Sequence, residues 1–168
     1  MRFFTIVFAI LAAFACAQHG QVTDVRDDKV YATYEMGGLA WFVTNLDYDM
    51  PGSYCYNNSE ESCEMHGRLY TWDAAQKACP EGWRLPTEKE SSRMLYDENV
   101  VMVRDFLPHA AGLRSDKGKF MNEEEYGYYW TFTATKNSAN YFFWKSSDFS
   151  IKFLSGNKNG ALSVRCVK

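Results

Sequence analysis

Two short segments, far apart in the chain, constrain its fold more than any other feature. The first, Gly67 to Thr87, reads as a short helix ending at Cys79, a turn at Pro80, an apolar Trp83-Arg84-Leu85 and the cap of a second helix. The second, Ser163 to Lys168, reads as a strand carrying Cys166. With Cys55 and Cys63, and with Cys16 set aside in the leader, these make four of the five cysteines, an even set that in an exported chain implies two disulfides. Four cysteines allow three pairings. Cys55 and Cys63 lie close together in turn-rich sequence, where a local bridge forms most easily. Cys79 with Cys166 then closes a long loop, worth on the order of 4 kcal/mol in the chain-entropy model. No Cys-x-x-Cys pair occurs, which argues against a thiolate zinc site.

Export is read from the first seventeen residues. Met1-Arg2 starts positive, Phe3 to Phe14 is apolar and uncharged, and an Ala-x-Ala pattern ends at Ala17, as in a secretory signal peptide. A second reading places a lipid anchor on Cys16, against which stands Ala13 where a leucine is usual. The mature chain, residues 18–168, is expected to be one domain, secreted or at the cell surface, with no membrane span. The formal net charge of -3 supplies no basic footprint for nucleic acid. Aromatic residues make up 17% of the chain, enough either to fill a core or to line a ligand surface.

Read in order, Val22–Val25 and Lys29–Tyr34 flank an Asp-Asp turn as a hairpin, and Leu39–Val43 follows as a further strand. Asn45 to Asn58 reads as a loop stapled by Cys55 and Cys63. Thr71 caps the first helix, with Trp72, Ala75 and Cys79 on one face. Thr87 and Glu90 form a capping box for the second. Val100, Val103 and Leu107 lie on one side of a further amphipathic stretch. From Ala111 onward the pattern is of strands, densest in Gly127–Thr133, Asn140–Trp144, Ser150–Leu154 and Ala161–Val167. Helices early and strands late predict an α+β fold with two early helices and a twisted antiparallel sheet.

Six motifs occur in sequence: Gly37-Gly38-x-x-Trp41 followed by Asn45-Leu46; Gly67-Arg68-Leu69-Tyr70-Thr71-Trp72; Ala78-Cys79-Pro80-x-Gly82-Trp83-Arg84-Leu85-Pro86; Ala111-Gly112-x-Arg114; Gly127-Tyr128-Tyr129-Trp130; and Ser163-Val164-Arg165-Cys166-Val167. In this order, from about Thr23 to Lys168, they resemble the Fibrobacter succinogenes major paralogous domain family, exported bacterial proteins of C-type-lectin-like architecture. The resemblance implies a Cys79–Cys166 bridge from the first helix to the last strand. Two positions depart from the family pattern: Ser91 stands where a tryptophan is usual, and Ala134 where an acidic residue is common. The resemblance implies an architecture and transfers no activity.

Catalytic and metal chemistries find little support. Calcium-dependent sugar binding on such a fold uses a Glu-Pro-Asn or Gln-Pro-Asp triplet and a Trp-Asn-Asp strand, and neither occurs. Asp47, Asp49 and the Glu123-Glu124-Glu125 run read as solvated acidic loops. No Gly-x-Ser-x-Gly elbow is present, His66 and His109 stand far apart in sequence, and no carboxylate pair is singled out for glycoside hydrolysis.

Aromatic contact with a ligand is the reading that survives. Tyr54 and Tyr56 lie in the stapled loop, and Tyr141 and Trp144 in the run Tyr141-Phe142-Phe143-Trp144, of which alternate members face opposite sides of a strand. These four are the candidate ligand residues, while Trp41, Trp72, Trp83 and Trp130 are assigned to the core. The expectation is a non-catalytic binding or adhesion module for extracellular polysaccharide or a surface protein, without cofactor or metal. The alternative is a structural envelope or matrix protein with no small ligand.

Overall fold

The computed structural model describes residues 19–96, 109–148 and 150–168. The expected signal peptide, with Cys16, and the expected amphipathic stretch 100–107 lie outside them. Among the described residues no helix is long and apolar enough to cross a membrane.

The architecture is α+β. A three-stranded antiparallel sheet is built from β1 (His19–Thr23), β2 (Val30–Met36) and β3 (Leu39–Phe42), in that order. The larger sheet runs β10 (Ile151–Gly156), β9 (Ala139–Lys145), β8 (Tyr126–Ala134), β6 (Ala111–Arg114), β11 (Ala161–Leu162), β5 (Leu69–Thr71) and β4 (Ser53–Tyr54), with β7 (Phe120–Glu123) paired to β6. This sheet is not wholly antiparallel as expected, because β6 and β8 pair parallel at Gly112 and Gly127. The chain runs along β6, back along β7 and forward again along β8, so β8 lies beside β6 in the same direction. Gly112 is required at that crossing: its φ is +64°, and a Cβ there would sit 2.4 Å from the Met121 carbonyl oxygen.

Three helices are described: α1 (Glu60–His66), α2 (Trp72–Ala78) and α3 (Glu88–Leu95). The first lies just past the Asn45–Asn58 loop, where the sequence pattern assigns no element. It has seven residues and buries only Ser62 and Cys63, so no apolar periodicity announces it. The other two form where capping predicts. The Thr71 hydroxyl accepts from the Ala74 amide, and α2 buries Trp72, Ala74, Ala75 and Ala78.

Thr87 and Glu90 make the full capping box. The Thr87 hydroxyl accepts from the Glu90 amide at 3.2 Å, and the Glu90 carboxylate accepts from the Thr87 amide at 2.7 Å. Arg84 forks onto the same carboxylate at 2.8 and 2.7 Å. The Arg84 bonds, reinforced by Thr87, outweigh burial and hold Glu90 down at about 2. A carboxyl depressed in the fold stabilises above its ordinary range and loses that contribution as pH falls through its folded value. Glu90→Gln is therefore expected to cost about 1 kcal/mol at pH 7, discounted for the exposure of this pair. The gap from the parent should close between pH 4.5 and about 2, as urea unfolding at several pH values would show.

Both predicted disulfides form, Cys55–Cys63 and Cys79–Cys166, with Cα separations of 5.1 and 5.8 Å. The terminal segment is stitched between β3 and the turn after α2. The Ala40 and Lys168 amides and carbonyls exchange bonds at 3.0 Å, the Phe42 amide donates to Cys166, and Arg84 and Val167 exchange a further pair. Two apolar clusters flank this segment. One gathers Phe42, Leu46, Tyr70, Trp72, Leu85, Trp130 and Val164; the other gathers Trp41, Met94, Tyr129, Phe142, Trp144 and Val167. Trp41, Trp72 and Trp130 are core as expected. Trp83 is not: it is half-buried, resting on Phe42 at a ring-centroid distance of 4.7 Å.

Candidate functional site

Strands β8, β9 and β10 form one end of the large sheet, and their pairing sorts side chains by parity. Directly opposed residues of antiparallel strands share a face. Tyr126 stands opposite Lys145, Tyr128 opposite Phe143, and Trp130 opposite Tyr141. On the other side of β9, Phe143 stands opposite Lys152 and Tyr141 opposite Leu154. The alternate residues Tyr129, Phe142 and Trp144 face the opposite way, into the cluster that also holds Met94 and Leu95 of α3.

The first face is therefore a grid of rings. Tyr128 lies 5.8 Å from Tyr126, 5.6 Å from Phe143 and 6.2 Å from Tyr141, and Tyr141 meets Trp130 edge-on at 5.9 Å. Trp130 is locked by its indole N–H, which donates to the Tyr70 carbonyl at 2.7 Å. Tyr128 is held by Asn122, whose amide donates to the phenol oxygen at 2.8 Å. Tyr141 lies over Gly156, where a Cβ would meet its ring at 2.9 Å. Inward the grid is buried; outward Tyr126, Tyr141 and Phe143 are half-exposed, and Leu154 is 47% exposed. Lys145 and Lys152 stand at its rim, with the Lys145 ammonium 6.0 Å from the Tyr126 ring. Burial raises the phenol pKa of both Tyr128 and Tyr141, keeping them neutral donors near neutral pH. Such a ledge offers flat π-faces, fixed hydroxyls and a cationic edge.

The four candidate ligand residues are not brought together. Tyr141 belongs to the ledge. Trp144 does not: it is 3% exposed and packed in the core. The reason is the pleat, since residues three apart in a strand face opposite sides, and Tyr141 and Trp144 could not both be outward. Tyr54 and Tyr56 lie at or beside β4, the edge of the sheet remote from β9, with β8, β6, β11 and β5 between. There the Arg114 guanidinium covers the Tyr54 ring at 4.1 Å, and Tyr56 tilts against Phe120 at 5.3 Å. Their rings pack a small satellite core with Leu69, Ala111 and Ala161.

Tyr126, Tyr128, Phe143 and Leu154 were missed as a group. The signal for part of it was present, because Tyr126, Tyr128 and Trp130 alternate in one strand. The cross-strand register that adds Phe143 and Leu154 is a tertiary fact.

The acidic loop has its own counter-charges. Arg68, mostly buried, lies within 3.4 Å of Asp47 and Asp49 and 3.3 Å of Glu60, and Lys29 pairs with Asp47 as well. Cys55, Glu60 and Cys63 cluster in a way that could suit a metal, but the two sulfurs are joined in the disulfide.

Residues 31–105 match the model of the Fibrobacter succinogenes major domain family. The chain carries a domain of that family. The matched stretch of the Fibrobacter succinogenes major domain contains β2 to α3, with Cys55, Cys63 and Cys79. The motifs from Ala111 onward, the aromatic ledge and Cys166 lie beyond it, and the family description names no ligand or reaction. No curated protein and no solved structure gives a significant match.

Proposed function

We propose that the chain is an exported, non-catalytic binding module of C-type-lectin-like architecture that holds polysaccharide against the aromatic ledge of β8, β9 and β10. The ledge itself carries this reading. Tyr126, Tyr141 and Phe143 present half-exposed rings on a rigid sheet, anchored from beneath by Trp130 and Tyr128. Sugar rings stack by their C–H faces on such planes, while phenol hydroxyls and lysines serve the equatorial hydroxyls. Two disulfides suit an oxidising, extracellular setting.

The cations paired onto this face are Lys145 and Lys152, and the carboxylate whose charge reaches Tyr128 is that of Glu125, so no carboxylate pair is marked out among the described residues. That composition favours holding a glycan over cleaving one. The test is retention of the purified protein on insoluble cellulose, xylan and chitin, each with calcium and with chelator. Saturable retention on at least one, unchanged by chelator, is expected. Retention abolished by chelator would transfer the site to an acidic loop. No retention on any of the three would remove the polysaccharide reading and favour a structural envelope role.

A further inference from the structure

Two ammonium groups share the aromatic ledge. Lys145 stands opposite Tyr126, and Lys152 stands opposite Phe143, so both belong to the face that carries Tyr141. Lys145 is two positions on from Phe143, which makes the two lysines diagonal neighbours across β9 and β10, about 7–8 Å apart. Lys152 is exposed, and Lys145 is half-buried with its ammonium 6.0 Å from the Tyr126 ring. Lys158 adds a cation over Trp72, a ring of the same apolar cluster, at 4.2 Å, and donates to the Thr135 carbonyl at 2.8 Å.

These charges are unanswered at contact distance. Arg26, Lys29, Arg68 and Arg84 all have a carboxylate within ion-pairing reach. Among the described residues Lys145, Lys152 and Lys158 have none. Two acids lie in the neighbouring turns. Asp148, exposed between β9 and β10, accepts from the Ser150 amide at 2.9 Å and feels both Lys145 and Lys152 without pairing with either. Glu125, whose charge reaches Tyr128, belongs to the turn before β8. The chain as a whole carries a formal charge of -3, which gives polyanions no long-range attraction. Any affinity for them has to be local, set by lysines held beside rings.

We propose that the ledge selects polysaccharide bearing anionic groups, uronate carboxylates or sulfate esters, over neutral chains; this rests on the reading of the ledge as a glycan surface. Tyr141 and Phe143 stack on the sugar plane while Lys145 and Lys152 receive the charge. Stacking is common to neutral and anionic sugars, so the rings supply shared affinity and the lysines supply the difference. Lysine suits that role. Its compact charge on a flexible stem follows an anionic substituent, where the fork of an arginine would fix one geometry.

The experiment measures binding of the intact protein, in chelator, to two matched pairs: polygalacturonate against its methyl ester, and dextran sulfate against dextran. At about 0.01 M salt at least one anionic member is expected to bind more tightly than its neutral partner. The gap should shrink toward 1 M salt, as the Debye length falls from about 30 to about 3 Å. Lys145→Gln/Lys152→Gln should weaken binding of the anionic member alone by roughly 3- to 30-fold, and Lys145→Arg/Lys152→Arg should keep it. A gap in one pair only assigns the charge to carboxylate or to sulfate. Equal binding within both pairs would overturn the inference, as would an anionic affinity unchanged in the glutamine variant. Anionic binding that survives Tyr141→Ala/Phe143→Ala would overturn it too, since the charge would then be read away from the rings. Retention on cellulose, xylan or chitin with none on the anionic members would sink this inference and leave the ledge reading standing. No binding to any glycan would remove both.

Discussion

Replacing Cys79 and Cys166 together by alanine is expected to remove about 4 to 5 kcal/mol of unfolding free energy, the largest effect of any change considered for this chain. The pair is separated by 87 residues, and its cross-link deletes a correspondingly large set of unfolded conformations. Domains of this size are stable by only about 5–15 kcal/mol, so the variant should sit near its unfolding threshold at 25 °C. The bond also fixes the junction on which the fold turns. It joins the residue after α2 to the terminal segment that links β3 with Arg84. Cys55 and Cys63 are only 8 residues apart, so Cys55→Ala/Cys63→Ala should cost closer to 2.5 kcal/mol on the same model. Urea unfolding of the two double variants measures the difference. Equal losses would mean that chain entropy does not govern these bridges.

Arg165→Ala is expected to cost at least about 3 kcal/mol. Arg165 is 1% exposed, and burial pushes its guanidinium pKa down, yet an arginine stays charged inside a protein. Its charge is solvated by protein oxygens in place of water. It donates to Asn45 at 2.7 Å, to the Phe42 carbonyl at 3.1 Å and to the Val43 carbonyl. Its guanidinium also lies 5.6 Å from the Tyr129 ring. Truncation leaves the end of β3 without these donors, frees Asn45 and opens a cavity beside Tyr129. Arg165→Met keeps most of the volume and should still lose about 2 kcal/mol, because the carbonyls remain unsatisfied. A loss below 1 kcal/mol for the alanine variant, measured by denaturant unfolding, would show that the charge burial cancels what its hydrogen bonds contribute.

Much of this framework was legible because it rests on local chemistry. Thr71, and Thr87 with Glu90, announce helix starts through hydroxyls and carboxylates that act within one turn. Cysteine spacing was enough to favour both bridges. The hairpin of β1 and β2 follows from alternation around Asp27-Asp28. Legibility ended where pairing became non-local. The parallel contact of β6 with β8 depends on three strands returning on one another. Helix α1 hides because a disulfide, rather than an apolar stripe, holds its seven residues. The candidate site shows the same division. Tyr141 is on the ledge, but Trp144, three residues on, faces the core by the parity of its strand. Tyr54 and Tyr56 are claimed by Arg114 and Phe120, partners that no local pattern reveals. His66 and His109, far apart in sequence, meet with ring centroids 6.3 Å apart for the same reason.

The measurement that most directly tests glycan binding on the ledge is an equilibrium adsorption isotherm comparing two double variants on whichever polysaccharide retains the parent. Tyr141→Ala/Phe143→Ala removes two half-exposed rings of the ledge, and Tyr54→Ala/Tyr56→Ala removes the satellite pair. At about 0.5–1.5 kcal/mol for each stacked ring, the ledge variant should bind roughly 5- to 150-fold more weakly. The satellite variant should stay within about twofold, with circular dichroism confirming that both are folded. An unchanged isotherm for the ledge variant, with binding lost from the satellite variant, would contradict the account and place the contact surface at the β4 edge.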